Sequence, residues 1–167
     1  MIGKIALLLF PLLMAFAASS DLLTMRISNK LIVVMVAAFP VLAVAVGMPM
    51  QEFAMHLTCA IIVLCVAFCF FAFGWIGGGD AKLAAATMLW LGFGLTLPYL
   101  LYSAVLGGAL TLVLLLVRRW PLPLFVTRFS WVQRLHHPKT GIPYGIALAV
   151  AGLLVYSDTS IYQQLIG

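Results

Sequence analysis

Two aspartates carry the chemistry available to this chain. Asp21 closes one apolar run and Asp80 opens another, within Gly77-Gly78-Gly79-Asp80-Ala81-Lys82, and the 167-residue sequence holds only four acidic residues. A carboxylate at or in a membrane is costly unless it is paired, hydrated or used, so a functional reading is the default. Two carboxylates a few ångströms apart cannot both ionise easily; they share a proton and titrate as a pair. One then acts as a base on a water that attacks a peptide carbonyl, and the other as an acid toward the oxyanion or the departing amine. That chemistry calls for no cofactor, metal or covalent intermediate.

The glycines ahead of Asp80 have their own physical use. Without a Cβ, Gly77, Gly78 and Gly79 let backbone approach a substrate closely and adopt conformations closed to other residues. They also break the helix, which places Asp80 in a first turn whose unpaired amides favour a carboxylate. Lys82 can stabilise nearby negative charge or mark the membrane interface. The plain alternative is an ordinary helix cap after a glycine-rich turn.

The elements that must hold these residues are apolar helices. The chain is 65% hydrophobic and 8% charged, against roughly 45–50% and about 25% in soluble domains. This composition predicts an all-α, polytopic membrane protein formed as a single domain over residues 1–167. Six apolar runs are expected to be transmembrane: Ile5 to Ser20, Leu31 to Met48, Phe53 to Ile76, Ala81 to Leu97, Pro98 to Val117 and Ile142 to Tyr156. The stretch from Ala81 to Val117 is too long for one crossing and must turn near Gly92 to Pro98, since a span takes about 20 residues.

Basic residues set the expected orientation, because Lys and Arg concentrate in cytoplasmic loops. With the N-terminus outside, Arg26, Lys30, Lys82, Arg118, Arg119, Arg128, Arg134 and Lys139 fall inside and only Lys4 outside. Residues 118–141 then form a basic cytosolic loop. The net charge of +5 reads as topology and attraction to anionic lipid, with no reason to invoke nucleic acid. Lys4, an apolar core and Ala15-Phe16-Ala17 could be read as a cleaved signal peptide, but the flanks favour retention. Two full crossings separate Asp21 from Asp80, so both return to one face, expected to be cytoplasmic.

Beyond the chemistry, the Gly77 to Lys82 segment resembles the Gly-x-Gly-Asp signature of intramembrane aspartic proteases, with the trailing Lys typical of type IV prepilin peptidases. Asp21-Leu22-Leu23-Thr24-Met25-Arg26-Ile27-Ser28-Asn29 is similar to that family's first aspartate segment, in which Ile-Pro-Asn usually follows the basic residue. Ser28 stands where the proline is usual. Ile142-Pro143-Tyr144-Gly145, followed by an Ala-rich helix, resembles a segment of the small peptidases of tight-adherence (Flp) pili. The resemblance covers all six runs. It implies removal of a short basic leader from pilin-like precursors at the cytoplasmic side of the inner membrane, by Asp21 and Asp80. It also implies site-lining roles for Gly77, Gly78, Gly79, Lys82, Arg26, Asn29, Pro143, Tyr144 and Gly145, and pilus-assembly machinery as a further partner. Large members of the family carry a cysteine-rich cytosolic domain and methylate the new N-terminus. Cys59, Cys65 and Cys69 all fall in one run without a Cys-x-x-Cys pair, which speaks against zinc and N-methylation.

Other residues read more plainly. Cys65 and Cys69 are expected to pack as small apolar groups, and His136 and His137 to face solvent. Glu52 and Asp158 are expected in short outer loops. Gly141 and Gly145 have a Gly-x-x-x-Gly spacing that lets helices approach, continued by Ala149; Pro143-Tyr144-Gly145 could instead border the site. Trp75, Trp90, Trp120 and Trp131 suit interfacial or packing positions, and the Met residues fill gaps. Two other classes of function use the same features: a proton- or ion-coupled transporter relaying charge through both aspartates, and a non-catalytic pilus-assembly protein holding partners by its small-residue faces.

Overall fold

The computed structural model describes residues 2–166, with side chains for residues 7–165. Among them lie eight α-helices and no strand: α1 (Ile2–Thr24), α2 (Asn29–Ala45), α3 (Met50–Ala72), α4 (Gly78–Leu91), α5 (Thr96–Val117), α6 (Ser130–His136), α7 (Tyr144–Tyr156) and α8 (Ser160–Ile166), with one 3-10 turn at Phe93–Leu95. Leu7–Thr24, Met50–Ala72 and Phe93–Val117 are long and apolar enough to cross a membrane, while α2 and α7 are shorter apolar helices. The side chain of Lys4 lies outside the described residues.

Helix length shapes the bundle. α4 has 14 residues and α7 has 13, about 21 and 20 Å at 1.5 Å per residue, whereas α1 and α3 have 23 each, about 35 Å. The short pair sits inside: α4 packs against α2, α3 and α7, and α7 against α1, α4 and α5. Short helices among longer ones leave recesses at their ends.

Close approach is written into their composition. α4 buries Ala81, Ala84, Ala85 and Ala86, and α7 buries Gly145, Ala147, Ala149, Ala151 and Gly152. Such small residues let helix backbones come into close contact. Larger side chains fill the seams. Phe10 stacks on Tyr156 with ring centres 4.7 Å apart and lies 5.3 Å from Trp90, and the Trp90 indole N–H donates to the Met35 carbonyl at 3.1 Å.

Local chemistry fixes the helix ends. Ser28 precedes α2 in an extended conformation and its Oγ accepts the Lys30 amide at 3.2 Å, an N-cap that supplies the stop-and-start a proline would otherwise impose. Gly92, at φ +70°, ends α4, and the His56 ring lies 2.9 Å from where its Cβ would be. The expected break between Gly92 and Pro98 is therefore present. The chain turns through Phe93–Leu95 and enters α5 at Thr96.

Several sequence expectations need correction. Asp21 does not end its helix, because α1 continues to Thr24. Glu52 is not in a loop: it occupies the first turn of α3, its Oε1 4.0 Å from Nε2 of buried His56. Cys65 and Cys69 are exposed on α3 rather than packed, while Cys59 is buried. Gly141 lies in the loop before α7, so Gly141 and Gly145 share no helix face.

Candidate active site

Asp21 lies in the last turn of α1 and is 5% exposed. The chain leaves that turn through Met25, at φ +56°, and is held against it by two hydroxyls: Ser20 Oγ and Thr24 Oγ1 donate to the Arg26 carbonyl at 2.9 and 3.2 Å. This folds Arg26 and Ile27 back beside Asp21. Ile27 then reaches two backbones, with its Cβ 3.4 Å from a hypothetical Cβ on Gly79 and its Cδ1 2.9 Å from one on Gly145.

Asp80 arrives from the opposite direction. α3 ends at Ala72, Gly74 turns at φ +75°, and Trp75 and Ile76 lead into Gly77, the extended N-cap residue of α4. Asp80 is in the first turn of α4, half-buried, with Oδ2 only 2.8 Å from where a Cβ on Gly77 would sit. No residue larger than glycine fits there without moving the carboxylate. Gly78 has the same constraint in milder form, with the Phe71 ring 3.2 Å from its would-be Cβ.

The third contribution comes from α7. The amide of Gly145, one of the unpaired donors of its first turn, donates to Asp21 Oδ2 at 2.7 Å. Tyr144 stands beside it with its hydroxyl 3.0 Å from Thr111 Oγ1 on α5, its ring covering Gly107, where a Cβ would come within 2.8 Å.

These segments enclose one cavity of about 620 Å³, lined by Asp21, Arg26, Ile27, Trp75, Gly77, Gly78, Gly79, Asp80 and Tyr144, with Met25, Gly74, Ile76, Gly141 and Ile142 completing its wall. That volume holds a few residues of extended peptide together with water, falling within the usual range of ligand pockets, roughly 300–1,000 Å³. Both carboxylates thus lie at one end of the bundle, Asp21 in the last turn of α1 and Asp80 in the first turn of α4.

Four expected site residues, Lys82, Asn29, Pro143 and Gly145, stand off from the cavity wall. Lys82 Nζ donates to Asn29 Oδ1 at 3.0 Å, tying the start of α4 to the start of α2, so neither group is aimed at the carboxylates. Pro143 is buried as the N-cap residue of α7 and acts on the site only by placing the Gly145 amide. Gly145, read from its spacing as a packing residue and from the resemblance as site-lining, holds Asp21 through its backbone amide. Trp75 and Ile76 line the cavity although their sequence assigned them no chemistry; their place directly ahead of the glycine run is the signal that points to them.

The model of the Type IV leader peptidase family matches residues 8–112, a span that contains both Asp21 and Asp80. The chain belongs to that family. It is a member of a peptidase family whose matched region holds most of α1, all of α2 to α4 and most of α5. The Tyr144-Gly145 segment lies beyond the match, and its link to the site is a matter of geometry alone. No curated protein and no solved structure matches the chain.

Proposed function

We propose that this leader peptidase is an intramembrane aspartic endopeptidase that removes the short leader of Flp-like type IV prepilins, with Asp21 and Asp80 as its paired acid and base. The observation that carries the reading is the single cavity on which both carboxylates open. A water held between them loses a proton to the ionised member as it attacks the scissile carbonyl, and the protonated member supplies the proton needed by the oxyanion and then by the leaving amine. Gly145 holds Asp21 through one carboxylate oxygen, leaving the other for water or its partner. Gly77, Gly78 and Gly79 provide a wall on which an extended substrate backbone can lie closely.

The membrane placement follows from charge. The loops at the cavity end and the short helix α6 carry Arg26, Arg118, Arg119, Arg128, Arg134 and Lys139, which supports a multi-pass inner-membrane protein of six crossings with this end in the cytoplasm, where a leader awaits removal. The 118–141 segment is then a basic cytosolic loop, suited to the pilus-assembly machinery or to anionic headgroups.

Co-expression with a tight-adherence prepilin tests the reading, following leader removal by gel shift and N-terminal sequencing. Wild type is expected to cleave, and Asp21→Asn and Asp80→Asn, at equal membrane levels, to accumulate intact precursor. Normal cleavage by either variant would remove that aspartate from the mechanism; transport activity without cleavage would favour a carrier.

A further inference from the structure

The segment between α5 and α6 exposes its largest apolar side chains. Trp120, Leu124, Phe125 and Phe129 are 75, 90, 71 and 42% exposed, yet the backbone beneath them is turned rather than extended. The Val126 amide donates to the Pro123 carbonyl at 3.0 Å, the Phe129 amide to the Val126 carbonyl at 3.2 Å, and Thr127 Oγ1 to the Leu124 carbonyl at 2.7 Å. Leu124 and Phe125 are thereby the two central residues of a turn and stand at its tip. Only Arg118 and Arg119 separate this segment from Val117, the last residue of a helix long and apolar enough to cross a membrane. Residues 118–141 hold five basic residues, Arg118, Arg119, Arg128, Arg134 and Lys139, and no acidic one.

Three hydrogen bonds tie the segment to the reaction cavity. Arg118 Nε donates to the Leu135 carbonyl at 2.9 Å and its Nη2 to the Gly141 carbonyl at 3.0 Å, so one guanidinium holds both the end of α6 and a residue of the cavity wall. Arg134 Nη1, on α6, donates to the Leu23 carbonyl at 3.0 Å, two residues beyond Asp21. Beside that bond, Arg26 and Arg134 line a recess of about 510 Å³ with Leu23, Thr24 and Met25, and no carboxylate lies among its lining residues.

We propose that residues 120–129 are an interfacial anchor, seating Trp120, Leu124, Phe125 and Phe129 at the boundary of headgroups and acyl chains in an anionic lipid surface, and that Arg118 and Arg134 pass its position to Gly141 in the cavity wall and to the turn that carries Asp21. Two features favour lipid over a protein partner. Apolar and aromatic tips flanked by cations suit a bilayer interface, where the tips sink and the cations meet phosphate, and the segment starts where a membrane span ends. The recess lined by Arg26 and Arg134 also presents two guanidinium groups of the kind that pair with a headgroup phosphate. The bilayer then holds α6 against α1, and a segment lifted off it releases Gly141 and Leu23 together. The anchor stands by itself; its effect on cleavage rests on the peptidase reading above.

A photoreactive phenylalanine analogue at position 125 reads the contact, in liposomes of phosphatidylethanolamine and phosphatidylglycerol and in membranes of the expressing cells. Lipid adducts are expected in both. A protein adduct in place of lipid in the cell membranes, or no lipid adduct in the liposomes, overturns the anchor. The Leu124→Ser/Phe125→Ser double variant removes the apolar tip, whereas Arg118→Lys keeps the charge and loses the planar fork that reaches two carbonyls. Each is expected to lower leader cleavage in the liposomes about tenfold, as a misplaced site would, with the helical circular dichroism unchanged. Combined, they are expected to lower it no further than the worse of the two, because both act through one link. Val105→Ser, at an exposed position of α5 outside the reaction cavity, is expected to stay within twofold of wild type. Full cleavage by the double variant and by Arg118→Lys, or losses that multiply, overturn the coupling and leave the peptidase reading standing. Absence of cleavage by wild type overturns that reading and the coupling with it, while the adducts at position 125 still decide the anchor.

Discussion

The backbone amide of Gly145 donates to Oδ2 of Asp21 over 2.7 Å, joining residues 124 positions apart. A first-turn amide of α7 therefore sets the direction of a carboxylate on α1. A Cβ at residue 145 would lie 2.7 Å from that same oxygen and 2.9 Å from Ile27 Cδ1, so the contact exists only because the residue is glycine.

Gly145→Ala is accordingly expected to push Asp21 aside. Displacement of a reacting group by around 1 Å can cost about 10²-fold in rate, and a loss of that order in leader cleavage is expected, with the helical circular dichroism unchanged. Gly108→Ala, where a Cβ meets nothing within 4 Å, should cleave within twofold of wild type. Equal activity in both variants would show that the Gly145 contact does not position Asp21.

The Lys82 and Asn29 side chains act as one link between α4 and α2. Both are exposed, and exposed polar links of this kind contribute less than about 1 kcal/mol. Lys82→Met and Asn29→Ala should each slow cleavage less than tenfold, and the double variant should be no worse than either. A loss above 10²-fold for Lys82→Met beside a neutral Asn29→Ala would place the ammonium at the reacting atoms instead.

At the opposite end of α4, stability rather than chemistry is at stake. His56 Nδ1 pairs with the Leu89 carbonyl at 2.9 Å, and Gly92 combines φ +70° with the His56 ring 2.9 Å from a would-be Cβ. Gly92→Ala faces both strain and collision, and a loss of about 1–3 kcal/mol is expected from the backbone alone. Thermal unfolding in detergent measures it. The folded fraction should retain cleavage, since Leu89 is about 13 Å along the helix from Asp80; a wild-type melting temperature would contradict the role given to this turn.

Residue types and the order of the apolar runs made the main lines of this molecule readable. The two aspartates and the glycines before Asp80 were visible because charge is scarce in an apolar chain, and two helices, α2 and α3, between them return both carboxylates to one end of the bundle. The break at Gly92 was visible because one span cannot be that long. Other features depend on packing between distant segments. Lys82 and Asn29 lie 53 positions apart, and nothing in either motif announces that they bond to each other. The resemblance placed Gly145 at the site, but its spacing read as helix packing because spacing counts positions without knowing where the helix starts; α7 begins at Tyr144, which turns the Gly145 amide into an unpaired donor. His56 drew no notice, as one His in an apolar run carries no pattern, and its partner is a backbone carbonyl on another helix.

The central claim is that Asp21 and Asp80 act as one unit, and the most direct measurement is the cleavage rate of Asp21→Asn, Asp80→Asn and the double variant in one liposome assay with matched enzyme. Groups that work as a unit are strongly non-additive. Each single variant is expected to lose at least ~10³-fold, within the range seen when members of a catalytic set are removed, and the double variant to lose no more than the worse single. A double variant whose loss equals the product of the two single losses, or a single variant that cleaves at the wild-type rate, would contradict the shared site.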